Sequence, residues 1–238
     1  MNDREPDDPI PPDAERVARR ALVLAAVVCR GGVEGDAGND DAESFRDGII
    51  EWATSVGLVG EFEPAELALP RTPLGQLTER QRVDASWRVE GLAVLGWALQ
   101  RCELPPYDIQ ADGPAVGLAL GFNEPRRETV LADPRLRPRD ELTSLANHLF
   151  SLHWRLRQYS LDGAAIDFAD VARRAWFGPL PIDRVRLREG DLELRGVPLF
   201  RAPEALWREA MSIARERQQA ANWLEGQDPI YSEVTCDT

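Results

Sequence analysis

Residues 91–99, with the sequence GLAVLGWAL, contain no charged or hydrogen-bonding side chain except the indole of Trp97. Thr78 and Gln81 form a capping box, which predicts that a helix begins here and runs through the apolar segment to about Cys102. A helix in contact with water needs a polar face. The sequence therefore predicts a mainly α fold with this helix buried at its centre.

Capping residues, glycines and apolar spacing predict the other elements of this fold. Further helices are expected at about 13–30, 43–56, 64–69, 138–161, 165–176 and 203–224. The first is expected to be amphipathic, with one apolar face. Alternating residues around Glu189-Gly190 predict a small β-hairpin at 184–195, in the C-terminal third. We expect a single helical domain over residues 13–238, preceded by a disordered, acidic, proline-rich tail at 1–12.

The charge balance limits the partners that this chain can bind. There are 28 basic residues, all of them arginine, against 41 acidic ones, which gives a formal net charge of −13. Phosphate backbones and anionic lipids need a positive protein surface, so we expect no nucleic acid and no membrane as partner. A protein partner, if there is one, is expected to be basic.

The cysteines and the apolar segments indicate a cytoplasmic protein. Cys29, Cys102 and Cys236 are far apart and odd in number, as in proteins of a reducing compartment. Arg19-Arg20 and the apolar run to Cys29 resemble an export signal, but acidic residues precede them and Arg30 follows. We interpret this segment as part of the first helix.

Standard catalytic and cofactor motifs are missing from the sequence. It has no phosphate-binding loop, dinucleotide fingerprint, nucleophile elbow or metalloprotease motif, so we expect no cofactor. The two histidines, His148 and His153, lie five residues apart on one helix and cannot easily share a metal, so we expect no metal site. For His153 we expect a structural hydrogen bond, and a role as general base is the alternative.

Two charged residues stand where the helical period calls for apolar ones. Glu90 shares its helix face with Val83 and Val94, and Arg217 shares its face with Ile213 and Leu224. Both are expected to be buried, and a buried charge needs a partner. They could pair with each other as a structural tie, or with Arg88, Glu216 and Asp237. Alternatively Glu90 is a tuned acid or base and Arg217 binds an anion. The arginine pairs 19–20, 126–127 and 173–174 are expected to face solvent.

Several segments together resemble a bacterial family, the domain of unknown function 4272. They are Arg20-Ala21-Leu22, the SWRVEGL and WAL segments at 86–92 and 97–99, His153-Trp154, the ERQQAANWL segment at 216–224 and the ending Glu233 to Thr238. The resemblance implies a mostly helical cytosolic protein and no particular activity. It singles out Glu90, Arg217, Asn222 and Asp237 as polar positions of interest.

The expected function follows mainly from the catalytic groups that the sequence lacks. The sequence offers no nucleophile–base pair and no set of metal ligands, so we expect a binding module for a protein partner or a small ligand. One form of such a module would bind a basic protein and neutralise it. Its ligand-binding candidates are Arg88, Glu90, Arg217, Asn222 and Asp237. The alternative is a hydrolase or transferase in which Glu90 is the base, with His153 as a further catalytic candidate, and Arg217 anchors an anion.

Overall fold

The described part of the chain is mainly α-helical, as predicted. The computed structural model describes residues 10–176 and 178–236. These ranges contain eight α-helices and one three-stranded antiparallel sheet in the order β1-β2-β3. The helices are α1 (Ala14–Gly32), α2 (Asp40–Ser55), α3 (Pro64–Arg71), α4 (Glu79–Ala98), α5 (Gly113–Leu120), α6 (Arg139–Asp162), α7 (Phe168–Arg174) and α8 (Glu204–Leu224). The strands are β1 (Leu187–Arg188), β2 (Asp191–Leu194) and β3 (Val197–Pro198).

The chain forms two compact units. The N-terminal unit contains residues 12–104 and 111–137 and holds α1 to α5. The C-terminal unit contains residues 105–110 and those from 138 onward, together with residues 10–11, and holds α6 to α8 and the sheet. Residues 1–9 of the expected tail lie outside the described residues. The single domain over 13–238 stays a prediction.

In the N-terminal unit, α4 is the buried helix that the sequence predicted. Its side chains from Leu92 to Leu95 have no exposed surface, and its capping box at Thr78 and Gln81 is formed. Trp97 is half-buried. The apolar run therefore identified a core helix correctly.

α1 is amphipathic as expected, with Glu15 and Arg16 exposed while Val17 and Ala18 are buried, but its central part is enclosed on all sides. Every residue of α1 from Arg20 to Val27 is buried, because α3, α4 and α5 pack around it. α1 approaches α4 closely where a Cβ added to Gly31 would lie 2.9 Å from the Cβ of Ala85. This unit therefore has two central helices, and the segment considered as an export signal is one of them.

In the C-terminal unit, α6 packs against α8 and the predicted hairpin is formed. Glu189 and Gly190 connect β1 to β2 with φ angles of 52° and 83°, the positive values of a type I′ turn. Residues 105–110 join this unit from a distant part of the sequence. The Tyr107 hydroxyl donates to the Glu193 carbonyl at 2.7 Å, and the Asp108 carboxylate accepts from the Arg195 amide at 2.7 Å.

Candidate functional site

Glu90 is completely buried in α4, as its position on an apolar face predicted. Its Oε1 accepts a hydrogen bond of 2.9 Å from the backbone amide of Ala111, just before the N-cap residue of α5. A buried carboxylate that accepts from a backbone amide holds the chain where a helix begins. This contact favours a structural role for Glu90 within the N-terminal unit.

Arg217 is also buried, on α8, and its guanidinium faces backbone carbonyls. Nη1 donates to the carbonyls of Pro105 and Pro106 at 2.8 and 3.1 Å, and Nη2 donates to that of Ile109 at 2.8 Å. Arg217 therefore anchors the 105–110 segment to α8. Pairing between Glu90 and Arg217, and their alternative roles as base and anion anchor, stay predictions.

The remaining sequence candidates lie at separate places. Arg88 lines a small cavity of about 180 Å³, whose other lining residues include Glu66, Asp84 and several apolar side chains. The side-chain amide of Asn222 donates to the Thr235 carbonyl at 3.0 Å and so fastens the chain after α8. Asp237 lies outside the described residues.

His153 makes the structural hydrogen bond that was expected. It is buried on α6, and its Nδ1 lies 2.5 Å from the Oε1 of Gln218 on α8. Burial lowers the pKa of His153, while the Gln218 contact opposes this effect. Its alternative role as a general base stays a prediction.

Besides Arg30, which is also fully buried, two deeply buried arginines were missed by the sequence analysis. Arg20, expected in solvent, has 1% exposure and donates to the Glu61 carbonyl and the Glu66 carboxylate. Arg155 and Asp191 form a bidentate ion pair, in which Nε and Nη2 donate to the two carboxylate oxygens at 2.7 and 2.6 Å. Neither side chain has exposed surface. Both arginines find their partners far away along the chain, where helical periodicity gives no information.

A polar cleft along α6 was also missed. Six of its lining residues recur at i, i+1, i+4, i+5, i+8 and i+9, so they form one stripe of the helix. The opposite wall is the segment 181–184, and the cleft has a volume of about 640 Å³. We call this the α6 cleft; its lining residues are Arg139, Asp140, Thr143, Ser144, Asn147, His148, Pro181, Asp183 and Arg184.

His148 is the unusual residue of the α6 cleft. Its Nδ1 is buried and has no hydrogen-bond partner among the described residues. Burial, with a smaller contribution from the Arg184 guanidinium, lowers the pKa of His148 to about 4, while Asp183 opposes the shift. The imidazole is therefore neutral at physiological pH and carries one unsatisfied buried nitrogen.

A comparison with protein families shows which family the chain belongs to. The family model described as "Domain of unknown function (DUF4272)" matches residues 4–176. The chain belongs to this family. The stripe on α6 lies inside the part that matches DUF4272, whereas residues 181–184, the hairpin and α8 follow it. No curated protein and no solved structure matches the chain.

The described part of the DUF4272 chain contains neither a cluster of metal-ligating side chains nor a helix that could span a membrane. Within residues 10–176 and 178–236, no group of three or more histidine, cysteine or acidic side chains could hold a metal ion. In the same ranges, no helix has the length and apolar character needed to cross a bilayer.

Proposed function

We propose that this chain is a non-catalytic binding protein whose ligand is a small polar molecule held in the α6 cleft. The observation that carries the proposal is the buried, unpartnered Nδ1 of His148. Buried polar atoms in folded proteins nearly always have a hydrogen-bond partner, and an exception asks for a ligand, an ion or a water. A polar ligand in the cleft would supply that partner.

The rest of the cleft supports ligand recognition. Its side chains include the hydroxyl of Ser144 and the amide of Asn147, and neither group has a hydrogen bond from elsewhere in the described chain. Such groups donate and accept in fixed directions, which gives specificity for a polar molecule. The volume of about 640 Å³ lies in the range of small-molecule sites.

The state of His148 supports binding over catalysis. A catalytic imidazole normally holds a proton acceptor or donor on one ring nitrogen so that the other nitrogen faces the substrate correctly. His148 lacks such an orienting contact at Nδ1. A site that only binds does not need one.

The location that we propose is the cytoplasm. Cys29 and Cys102 are free thiols, and the Sγ of Cys236 contacts the Arg215 carbonyl at 3.5 Å. Burial also raises the pKa of Cys29 to about 11, which keeps this thiol protonated and unreactive. Free thiols in a chain of this size are typical of a reducing compartment.

A blocked cleft tests the proposed function. Ser144→Trp places an indole in the cleft, and Ser160→Trp makes the same change at an exposed position of α6 away from it. We would screen amino acids, organic acids, sugars and nucleotides by thermal shift with all three proteins. We expect to find compounds that raise the melting temperature of the wild type and of Ser160→Trp but not that of Ser144→Trp. A screen without such compounds would contradict the proposal.

A further inference from the structure

The two arginines that line the α6 cleft differ in their contacts within the protein. Arg139 uses its guanidinium within the protein, where Nη1 donates to the Leu224 carbonyl at 2.8 Å and Nη2 to the Glu225 carboxylate at 2.9 Å. Arg184 is different. Its one ion pair within the described residues is with Asp183, whose carboxylate lies 4.0 Å from Nε. Both Nη groups of Arg184 are therefore available to a ligand.

The opposite wall offers further donors to the same space. Ser144 contributes a hydroxyl and Asn147 an amide NH₂, both on the stripe of α6 that faces the segment 181–184. The imidazole of His148 lines the same cleft, and the charge of Arg184 acts on it. Oxyanions are recognised in this way, by a guanidinium together with neutral donors on a second surface.

We infer that the ligand of the α6 cleft carries an oxyanion, a carboxylate or a phosphate, which Arg184 binds opposite Ser144 and Asn147. This inference rests on the proposed function and names the chemistry of its ligand. The carboxylate of Asp183 also lines the cleft but lies on the Nε side of Arg184, so the anionic group is expected at the Nη groups of Arg184. Any cationic part of the ligand is expected near Asp140.

Direct titration of the full chain tests the inference. The probes are inorganic phosphate and succinate, with glycerol as the neutral polar control, and the readout is the chemical shift of the Asn147 side-chain amide and the His148 ring. At constant ionic strength, phosphate or succinate is expected to shift these signals with saturation, and glycerol is not. Saturation by one of the two distinguishes a phosphate from a carboxylate ligand.

A matched pair of variants isolates the guanidinium. Arg184→Gln removes the charge from the cleft, while Arg188→Gln removes a similarly exposed arginine of β1 that does not line it, with side-chain exposures of 57% and 54%. The dissociation constant is expected to rise at least about tenfold in Arg184→Gln, as for loss of one charge-assisted hydrogen bond, and to stay constant in Arg188→Gln.

The outcomes also separate this inference from the proposed function. Equal binding by wild type and Arg184→Gln, or no saturable shift with either anion at millimolar concentration, overturns the oxyanion ligand. If neutral compounds meanwhile bind in a way that Ser144→Trp abolishes, the binding function stands and only the ligand class is wrong. If neither neutral nor anionic compounds depend on Ser144, both proposals fall.

Discussion

At the scale of single residues, buried charge distinguishes this protein. The pair of Arg155 and Asp191 joins α6 to β2 without exposed surface on either side chain. Asp191→Asn keeps the shape of the side chain but leaves the guanidinium without a counter-charge. We expect the free energy of unfolding to fall by about 3–5 kcal/mol, measured by chemical denaturation.

An exposed pair provides the control for Asp191→Asn. Glu204 and Arg208 lie on α8 with exposures of 69% and 66%. Glu204→Gln is expected to change the free energy of unfolding by less than about 1 kcal/mol, because water screens the pair. Similar losses in the two variants would contradict the importance of the buried pair.

His148 makes stability depend on pH. The folded state holds its pKa near 4, against about 6.5 in the unfolded chain, through burial and the nearby Arg184, with Asp183 opposing. The unfolded state therefore binds the proton more readily, and this contribution to stability is complete above pH 6.5 and is lost as the pH falls toward 4.

We expect this histidine to lower the free energy of unfolding by about 2 kcal/mol between pH 7 and pH 5. His148→Gln, which does not titrate, should lose less stability over the same interval. Denaturation curves of both proteins at the two pH values measure the difference. A pH dependence that is identical in wild type and His148→Gln would show that the imidazole is not shielded as described.

The sequence could predict that Glu90 and Arg217 are buried, but it could not predict most of their partners. An apolar helix face implies burial, whereas the partners at Ala111 and at 105–110 depend on how distant segments meet. The α6 cleft had a detectable signal. Thr143, Ser144 and Asn147 place short polar side chains on a stripe where an exposed helix usually carries long charged ones.

At the scale of elements, the contact between α1 and α4 depends on one glycine. A Cβ on Gly31 would lie 2.9 Å from the Cβ of Ala85, whereas one on Gly32 would meet nothing within 4 Å. Gly31→Ala is expected to push α1 from α4 and to lower the free energy of unfolding by about 1–3 kcal/mol.

Gly32→Ala is the matched control for Gly31→Ala. Gly32 has helical dihedral angles, so alanine restricts the unfolded chain without strain and should raise the free energy of unfolding by up to about 1 kcal/mol. Thermal melts of the two variants should move in opposite directions. Destabilisation by both variants would contradict this prediction, because alanine favours the helix at both positions and only Gly31 lies against α4.

Elements with strong local signals were predicted and weak ones were missed. The capping box of α4 and the turn at Glu189-Gly190 are encoded within a few residues. α5 was absent from the predicted helices, although Asp112 caps it and Pro114 lies in its first turn. Its eight residues, GPAVGLAL, are too few and too uniformly apolar to show a helical period.

At the scale of the whole molecule, the C-terminal unit is discontinuous in sequence. The basic protein partner also concerns the whole molecule. The net charge of −13 is the reason to expect it, and it stays a prediction.

The discontinuity of the C-terminal unit can be tested directly. A fragment of residues 138–238 lacks the 105–110 segment, so the buried guanidinium of Arg217 loses three carbonyl partners.

We expect this fragment to melt without cooperativity, as followed by circular dichroism. A synthetic peptide of residues 104–111 should restore part of the transition. The same peptide with Asp108→Ala should restore less, because Asp108 accepts from Arg186 and Arg195. A fragment that melts cooperatively, at the temperature of the full chain and without peptide, would show that the segment is dispensable.

The discontinuity also affects the nascent chain during synthesis. The ribosome makes Ile109 108 residues before Arg217, its hydrogen-bond partner. At roughly 5–20 residues per second, the segment emerges roughly 5–20 s before α8 is complete. During this interval its carbonyls stay hydrated, and the C-terminal unit cannot close around them. The C-terminal unit therefore cannot complete its folding before α8 has been translated.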